Sequence, residues 1–271
     1  MMSVLTDVEF GKFKDLIYKA SGIHFTESNR TILESRIREK LRKTSFENVN
    51  DFYELIKKDE GELKAFLDSV TTNLTRFFRN TAHYNAFEKF VIPDLIEYKR
   101  KTGNKVIRCW SAGCSTGEEP YTNAMVLKEL LPPDFKIEVV ASDLSLKSLM
   151  TAQEGFYADI KVKGIPDNYL NKYFTKAAGG YRVKDELKKL IAFDYHNLKF
   201  DSGKRNLDIV FCRNVLIYFD EAAQKNVIDR FWDAMSNHSF LFIGHSESLF
   251  GMDTKFEFIR TEWACLYGKN V

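Results

Sequence analysis

From about residue 105 onward, short apolar segments alternate with amphipathic segments, and this alternation limits the possible folds more than any other feature of the chain. Four segments have the length and composition of buried strands: KVIRCW, IEVVASD, LDIVFCRNVL and SFLFIG. Helical patterns such as PYTNAMVLKELL and EAAQKNVIDRFWDAM lie between them. This order predicts a parallel sheet with helices on both faces. The final segment, KFEFIRTEWACLYGKN, predicts an antiparallel hairpin at the edge of that sheet.

The first 70 residues follow a different pattern, with apolar residues at helical spacing and no strand-like alternation. Apolar residues fall three or four positions apart over 10–17, 33–41 and 63–70. We therefore predict an all-helical N-terminal domain over residues 1–70. Residues 71–80, TTNLTRFFRN, then link it to a sheet domain that we place at 81–271.

One segment inside the sheet domain, at about 158–192, breaks the strand–helix alternation. It contains IPDNYLNKYF, an Ala-Ala-Gly-Gly turn and YRVKDELKKLIAF. The turn and its flanks predict a small antiparallel β-subdomain inserted in the sheet domain. The predicted fold class is therefore α/β, with a helical N-terminal domain and this insertion.

Composition and charge argue against several classes of protein. The 40 basic and 38 acidic side chains give a net charge of +2, whereas a dedicated nucleic-acid-binding domain is usually strongly basic. The sequence shows no signal-peptide pattern and no apolar run of membrane-spanning length. The four cysteines and five histidines lack metal-ligand spacing. We expect a cytoplasmic protein with reduced cysteines, no metal, no nucleic-acid partner and no membrane insertion.

The strongest local signal is WSAGCSTGEEPYT, which follows a predicted strand and opens a predicted helix. Gly113 and Gly117 allow a ligand to approach the backbone closely. The spacing is not GxGxxG, so the fingerprint that holds a pyrophosphate is absent and a ligand without phosphates is favoured. Thr116 and Glu119 also have the spacing of a capping box, so Glu119 has the alternative role of capping the helix.

Two further positions at predicted strand ends carry polar side chains. Asp143 ends the segment IEVVASD, and an acidic residue at the end of the second strand of such a sheet can accept both hydroxyls of a ribose. Arg213 and Asn214 follow the apolar segment around Phe211. A buried arginine needs a carboxylate partner, which either the protein or a ligand supplies. Together these positions favour an adenosine-containing ligand at the carboxyl edge of the sheet.

Five motifs stand in order along the chain: NLTRFFRN, WSAGCSTGEEPYT, ASDLS, FCRNVLIYF and GHSES. At these separations they resemble the signature series of the CheR family of chemoreceptor glutamate methyltransferases, over nearly the whole chain. The resemblance implies a helical N-terminal domain, a Rossmann-like class I methyltransferase sheet and an inserted β-subdomain. It also implies methyl transfer from S-adenosylmethionine, leaving S-adenosylhomocysteine, to glutamate side chains of bacterial chemoreceptors.

The resemblance also assigns roles to individual residues of this sequence. It places cofactor contacts at nine positions: Asn73, Thr75, Arg79, Glu119, Asp143, Asn197, Leu198, Arg213 and Asn214. Glu118 stays an alternative to Glu119. Arg79 and Tyr218 are expected nearest the transferring methyl, while the neighbouring Arg76 has the alternative role of a surface cation. Because a glutamate with a pKa near 4.3 is already ionised at neutral pH, the reaction needs no general base.

The segment Asn29–Lys43 carries a local charge excess of +4. Its cations are Arg30, Arg36, Arg38, Lys40, Arg42 and Lys43. Such a run is most often a solvated helix face. An acidic receptor helix as substrate instead favours electrostatic docking at these six residues.

The expected partners are therefore the cytoplasmic methylation helices of chemoreceptors, approached by a monomeric enzyme. Family members that tether to a C-terminal receptor peptide use a glycine-rich loop of the β-subdomain. Here the corresponding stretch, KAAGGY, is short, and we expect no such tethering.

Three other functions remain to be compared with this prediction. A nucleic-acid methyltransferase would show an Asn/Asp-Pro-Pro-aromatic motif with interleaved basic and aromatic residues, and the sequence has none. A nicotinamide-dependent oxidoreductase is disfavoured by the glycine spacing. A cofactor-binding sensor without catalysis stays open.

Overall fold

The computed structural model describes residues 5–44, 46, 48–71 and 74–271. Contacts divide the chain into two compact units. The first comprises Met1–Thr72 together with Ile217–Gln224, and the second comprises Asn73–Leu216 together with Lys225–Val271.

The first unit is helical throughout its described N-terminal part. Its helices are α1 (Asp7–Ser21), α2 (Arg30–Lys43), α3 (Val49–Lys58) and α4 (Glu60–Val70), with a 3₁₀ turn at Glu27–Asn29. A reciprocal capping box between Thr6 and Glu9 starts α1. The rings of Phe13, Phe52 and Phe66 lie 5.1–6.1 Å apart and form the centre of the core. The predicted all-helical architecture is confirmed.

The second unit contains alternating helices and strands. Its helices are α5 (Thr81–Ala86), α6 (Ile92–Thr102), α7 (Glu118–Leu130), α8 (Leu146–Glu154), α9 (Asp167–Tyr173), α10 (Asp185–Lys188) and α11 (Glu221–Ala234), whose first turn belongs to the first unit, with a π-helical turn at Phe87–Val91. Its strands are β1 (Val106–Ala112), β2 (Lys136–Asp143), β3 (Phe156–Ala158), β4 (Phe174–Ala177), β5 (Gly180–Val183), β6 (Ile191–Tyr195), β7 (Leu207–Cys212), β8 (Met235–Ile243), β9 (Glu257–Arg260) and β10 (Cys265–Lys269).

Within the described residues, seven strands form the main sheet in the order β6-β2-β1-β7-β8-β10-β9. The first five are parallel, and β10 runs antiparallel to both β8 and β9. The predicted Rossmann-like sheet and its edge hairpin are confirmed. Because strand order reverses between β1 and β7, a crevice is expected at their carboxyl ends, where such sheets bind ligands.

The smaller sheet is antiparallel, with the order β3-β5-β4. It begins at Phe156, whereas Ile191 already starts β6 of the main sheet. Only Ala178 and Gly179 separate β4 from β5, and Gly179 has a φ of +77° that suits glycine. The described residues contain no helix long and apolar enough to cross a bilayer.

Candidate functional site

The loop between β1 and α7 lies tightly over the end of β2. The Gly113 N–H donates to the Ser142 carbonyl oxygen at 2.8 Å. Gly113 has a φ of +82°, and a Cβ there would lie 2.4 Å from Cγ2 of Val215. Gly117 has a φ of +95°. Neither position accepts a side chain without displacing its surroundings, which accounts for the two glycines of the motif.

The start of α7 differs from the predicted capping box. The N-cap residue is Gly117, which has no side chain to cap with. The Thr116 hydroxyl donates to Glu118 Oε2 at 2.6 Å, and Glu119 instead binds Arg213 at 2.7 Å. The capping role for Glu119 is therefore wrong. The carboxylate binds a buried guanidinium, which carries a full opposite charge, in preference to the neutral backbone N–H that a capping box would offer it.

Arg213 is held by groups of the protein itself. Its Nε donates to Glu119 Oε2 at 2.7 Å, and its Nη1 donates to the Arg79 carbonyl oxygen at 2.6 Å. The Ser111 hydroxyl donates to the other Glu119 oxygen at 2.7 Å. The two charged side chains are 3% and 10% exposed. Of the alternatives open from the sequence, the protein supplies the carboxylate, and the pair fixes the linker backbone against the sheet.

The charge state of this network follows from burial. Desolvation opposes ionisation of Arg213, but the Glu119 carboxylate, together with Tyr84 and Glu247, raises the pKa of the guanidinium. His83 Nδ1 lies 3.5 Å from Arg213 Nη1. Desolvation and the Arg213 charge lower the pKa of His83 to about 4. His83 is therefore neutral at pH 7 and adds no second charge.

Asp143, at the end of β2, organises the adjoining loops. Its Oδ2 accepts the Ser115 N–H at 2.7 Å, and its Oδ1 accepts the Ser145 N–H at 2.8 Å. The carboxylate is half-buried, and each oxygen has a second lone pair. Asp143 can therefore accept ligand hydroxyls while it holds the loop.

Two residues donate their backbone N–H groups to Asp143, and each also has a buried side-chain atom that lacks a hydrogen-bond partner among the described residues. These atoms are Ser115 Oγ and His196 Nε2. The His196 N–H donates to the Asp143 carbonyl oxygen at 3.1 Å. Because an unsatisfied buried polar atom is costly, these atoms fit a site completed by a polar ligand. Neither residue was predicted, although Ser115 lies within the glycine motif and His196 precedes Asn197.

A cleft of about 770 Å³ opens beside the ends of β7 and β8. Three predicted residues, Arg79, Arg213 and Asn214, line it. The edge hairpin contributes Trp263 and Tyr267 to the wall. Two other predicted residues lie at or after different strand ends, Asp143 at the end of β2 and Asn197 after β6.

Two arginines that line the cleft have no ion pair within the described structure, although the Glu247 carboxylate also lines the cleft. Arg76 and Arg79 both line it, and no described carboxylate forms an ion pair with either. Arg79 Nη1 donates to the Leu74 carbonyl oxygen at 2.7 Å. An anionic group entering the cleft would therefore find two guanidinium groups able to bind it.

The remaining predicted residues have varied surroundings. Leu198 is buried, and the half-buried Asn197 accepts the Lys199 N–H at 3.0 Å. Thr75 is half-buried in the linker, while Asn73 lies outside the described residues. Tyr218 belongs to the first unit, ending the 3₁₀ turn Leu216–Tyr218. The roles of all these residues stay predictions.

Comparison with protein families agrees with this architecture. Residues 73–265 match the family model for the CheR methyltransferase SAM-binding domain, and residues 8–71 match the model for the CheR methyltransferase all-alpha domain. The chain belongs to the CheR methyltransferase family. It therefore carries the S-adenosylmethionine-binding methyltransferase domain of that family.

Relatives of the CheR family match the chain over most of its length. A chemotaxis protein methyltransferase of Borreliella burgdorferi is 35% identical over 256 residues, covering 91% of this chain and 90% of the relative. A chemotaxis protein methyltransferase of Escherichia coli K12 is 34% identical over 263 residues, covering 93% of this chain and 88% of the relative.

Among the described residues, no group of three or more His, Cys, Asp or Glu side chains could hold a metal ion.

We predict that Asp143→Ala weakens cofactor binding about tenfold, since it removes hydrogen bonds worth about 0.5–1.5 kcal/mol each. Calorimetric titration with S-adenosylhomocysteine measures the effect. Asp194→Ala is the matched control, because Asp194 lies on the adjacent strand β6 and pairs with Lys204 at 2.7 Å. Equal affinities for the two variants would remove Asp143 from the cofactor site.

Proposed function

We propose that this chain transfers the methyl group of S-adenosylmethionine to glutamate side-chain carboxylates of chemoreceptors in the cytoplasm. The observation that carries the carboxylate acceptor is the pair of arginines in the cleft, Arg76 and Arg79, neither of which forms an ion pair with a described carboxylate. The cleft adjoins Arg213 and Asn214, two predicted cofactor residues. The named relatives, which are chemotaxis protein methyltransferases, support the same conclusion.

The residues around Asp143 fit the adenosine part of this cofactor. Ser115 Oγ is a buried hydroxyl without a partner in the described structure, and the Asp143 carboxylate accepts the backbone N–H of the same residue at 2.7 Å. Asn197 and Leu198 follow β6, the strand next to β2. We assign Asp143 to the ribose, and Asn197 and Leu198 to the adenine. When bound, S-adenosylmethionine supplies a methyl group activated by a sulfonium.

The protein's part in the chemistry is then positioning rather than proton transfer. The acceptor is anionic at neutral pH because its pKa is about 4.3. His83 is buried in the cleft wall with a pKa of about 4, but no base is required. Arg79 orients a carboxylate, either that of the acceptor or that of the cofactor, with Arg76 as a second cation, while Trp263 and Tyr267 limit access of water. Ordering the reactants in this way can supply roughly 7–11 kcal/mol.

Tyr218 and the linker residues Asn73 and Thr75 take the roles that the family resemblance gives them. We assign Tyr218 to the acceptor side, where its hydroxyl or its ring steers the glutamate. Asn73 and Thr75 are assigned to the cofactor together with Arg79. We also propose that the domain boundaries follow the predicted divisions near residues 70 and 80.

Receptor docking is assigned to α2, with a narrower set of cations than its sequence offers. Arg30 forms ion pairs with Asp7, Glu27 and Glu34, and Arg36 and Lys43 both pair with Glu39. For Arg38, Lys40 and Arg42 the described residues provide no ion pair. Leu33 and Ile37, at 0% exposure, anchor the buried face of the helix. We propose that these three cations carry most of the attraction to an acidic receptor helix.

Reversing two of these charges, Arg38→Glu with Arg42→Glu, should lower the methylation rate on receptor fragments on the order of tenfold at low salt. High salt should reproduce the defect in the wild type, because exposed charges are screened beyond about 8 Å at physiological ionic strength. The control is Lys57→Glu with Lys58→Glu, an equal change of charge on two exposed residues of α3. Equal rates for the two double variants would mean that this face of α2 is merely solvated.

The test of the function uses the purified chain with radiolabelled S-adenosylmethionine and receptor cytoplasmic fragments. Glutamate methyl esters release volatile methanol in alkali, so that release is the expected signal. Fragments with the acceptor glutamates changed to alanine should release none.

We propose a monomer that docks without peptide tethering, so deleting the receptor's C-terminal tail should leave the rate unchanged. A chain that binds S-adenosylhomocysteine yet gives no alkali-labile methyl would be a sensor.

A further inference from the structure

The GHSES motif, Gly244–Ser248, follows β8, and none of the roles given so far involves it. Its Glu247 is half-buried and lines the cleft. Glu247 Oε2 accepts the Asn214 N–H at 2.9 Å and also the Gly244 N–H. The Glu247 N–H in turn donates to the Gly244 carbonyl oxygen at 2.9 Å. One carboxylate oxygen therefore joins the ends of β7 and β8.

The backbone that Glu247 holds is in an unusual conformation. Asn214 has a φ of +61°, in the left-handed region that few residues other than glycine adopt. Asparagine tolerates this region better than most residues, but it keeps the conformation only where its surroundings impose it. The hydrogen bond from the Asn214 N–H to Glu247 is one such constraint.

The neighbours of Asn214 are also fixed. On one side, Arg213 is bound by Glu119 at 2.7 Å. On the other side, Val215 packs closely over Gly113: a Cβ added to Gly113 would lie 2.4 Å from Cγ2 of Val215. Glu247 binds Asn214 itself. The turn after β7 is thus held by residues next to the end of β1, the start of α7 and the end of β8.

Gly244 is matched to the same carboxylate. A Cβ at Gly244 would lie 2.4 Å from Glu247 Oε2 and 2.8 Å from the Asn214 nitrogen. Any side chain at this position would displace the carboxylate from the two amides. The glycine and the glutamate of the motif therefore serve one arrangement.

We propose that Glu247 is a positioning residue, which acts through the Asn214 backbone to hold the Asn214 side chain in place for the cofactor. The inference rests on the proposed cofactor role of Asn214. It assigns Glu247 no contact with the reacting atoms.

The test is titration of purified variants with S-adenosylhomocysteine, at a temperature where thermal melts show each of them folded. Glu247→Ala should weaken binding about tenfold. Glu247→Gln, whose side-chain oxygen can accept the same N–H groups, should stay within about threefold of the wild type. Ser246→Ala, an exposed neighbour in the same loop, should bind normally.

Gly244→Ala is the second route, because it displaces the carboxylate without removing it. Its affinity for S-adenosylhomocysteine should fall as far as that of Glu247→Ala. If Glu247→Ala does not fold, the affinity of Gly244→Ala tests the proposal in its place. Wild-type affinity in folded Glu247→Ala or in folded Gly244→Ala overturns the proposal. So does a Glu247→Gln variant as weak as Glu247→Ala. Since no receptor is present, failure of receptor methylation would count against the proposed function and leave this result standing.

Discussion

Glu119→Ala should lower the free energy of unfolding of the second unit by about 3–5 kcal/mol, since it leaves a buried charge without its partner. Arg213 is 3% exposed as a side chain, and among the described residues it keeps hydrogen-bond contacts with the Arg79 carbonyl oxygen and the His83 ring. The guanidinium cannot escape the cost by losing its proton, because its pKa is too high. Urea unfolding followed by tryptophan fluorescence measures the change.

The matched control is Glu138→Ala, which breaks another arginine–glutamate pair of the same unit. Arg108 Nε lies 2.9 Å from Glu138 Oε2, against 2.7 Å in the buried pair, but both side chains are about one-third exposed. Water replaces the partner there, so the loss should stay below about 1 kcal/mol. Similar losses in the two variants would show that burial does not govern the Glu119–Arg213 pair.

The fold was predictable because its signals are local. Strand-length apolar runs such as those in β7 and β8 identify the buried strands of a parallel sheet, and the helical spacing of Phe10, Phe13 and Ile17 identifies α1. Each of these elements can be recognised from the pattern of about ten consecutive residues.

The contacts within the site were less predictable, because they join distant parts of the chain. Glu119 and Arg213 are 94 residues apart, whereas the spacing of Thr116 and Glu119 offers a local alternative, a helix cap. Glu119 does not cap the helix, because its carboxylate binds the buried Arg213 guanidinium instead. Ser115 and His196 were missed for the same reason, since a buried atom without a partner is recognisable only from its surroundings.

Glu247 shows where the motif itself was the only available signal. GHSES stood out by its resemblance to the family series, but nothing in its composition assigns a carboxylate to two amides. That assignment depends on the positive φ of Asn214 and on the close approach of Gly244. Backbone conformation of this kind is set by tertiary packing and leaves little trace in residue spacing.

Arg79→Ala should reduce methyl transfer to receptor fragments about a hundredfold, because a misplaced reactant can cost that much. Tyr218→Phe should cost less than about tenfold, since it removes one hydroxyl and keeps the ring. Arg205→Ala is the control, an exposed arginine of the same unit that pairs with Asp201 at 2.8 Å. Single-turnover rates at saturating S-adenosylmethionine give the comparison.

The structure explains why Arg79→Ala should leave the fold intact. The linker is held through its backbone, with the Arg79 carbonyl oxygen accepting from Arg213 at 2.6 Å and the Phe78 N–H donating to Thr122 Oγ1 at 3.3 Å. The Arg79 side chain contributes one exposed bond, to the Leu74 carbonyl oxygen. A large loss of turnover with a normal melting temperature would therefore reflect the missing guanidinium.

The same variant decides which carboxylate Arg79 binds. If it orients the acceptor, Arg79→Ala loses turnover at saturating cofactor while its affinity for S-adenosylhomocysteine stays within about threefold of the wild type. If it binds the cofactor's own carboxylate, affinity falls and saturating cofactor restores much of the rate. Near-normal turnover in both Arg79→Ala and Tyr218→Phe would remove both residues from the reaction. Arg76→Ala then serves as a second probe, because Arg76 shares the cleft but is assigned no cofactor contact.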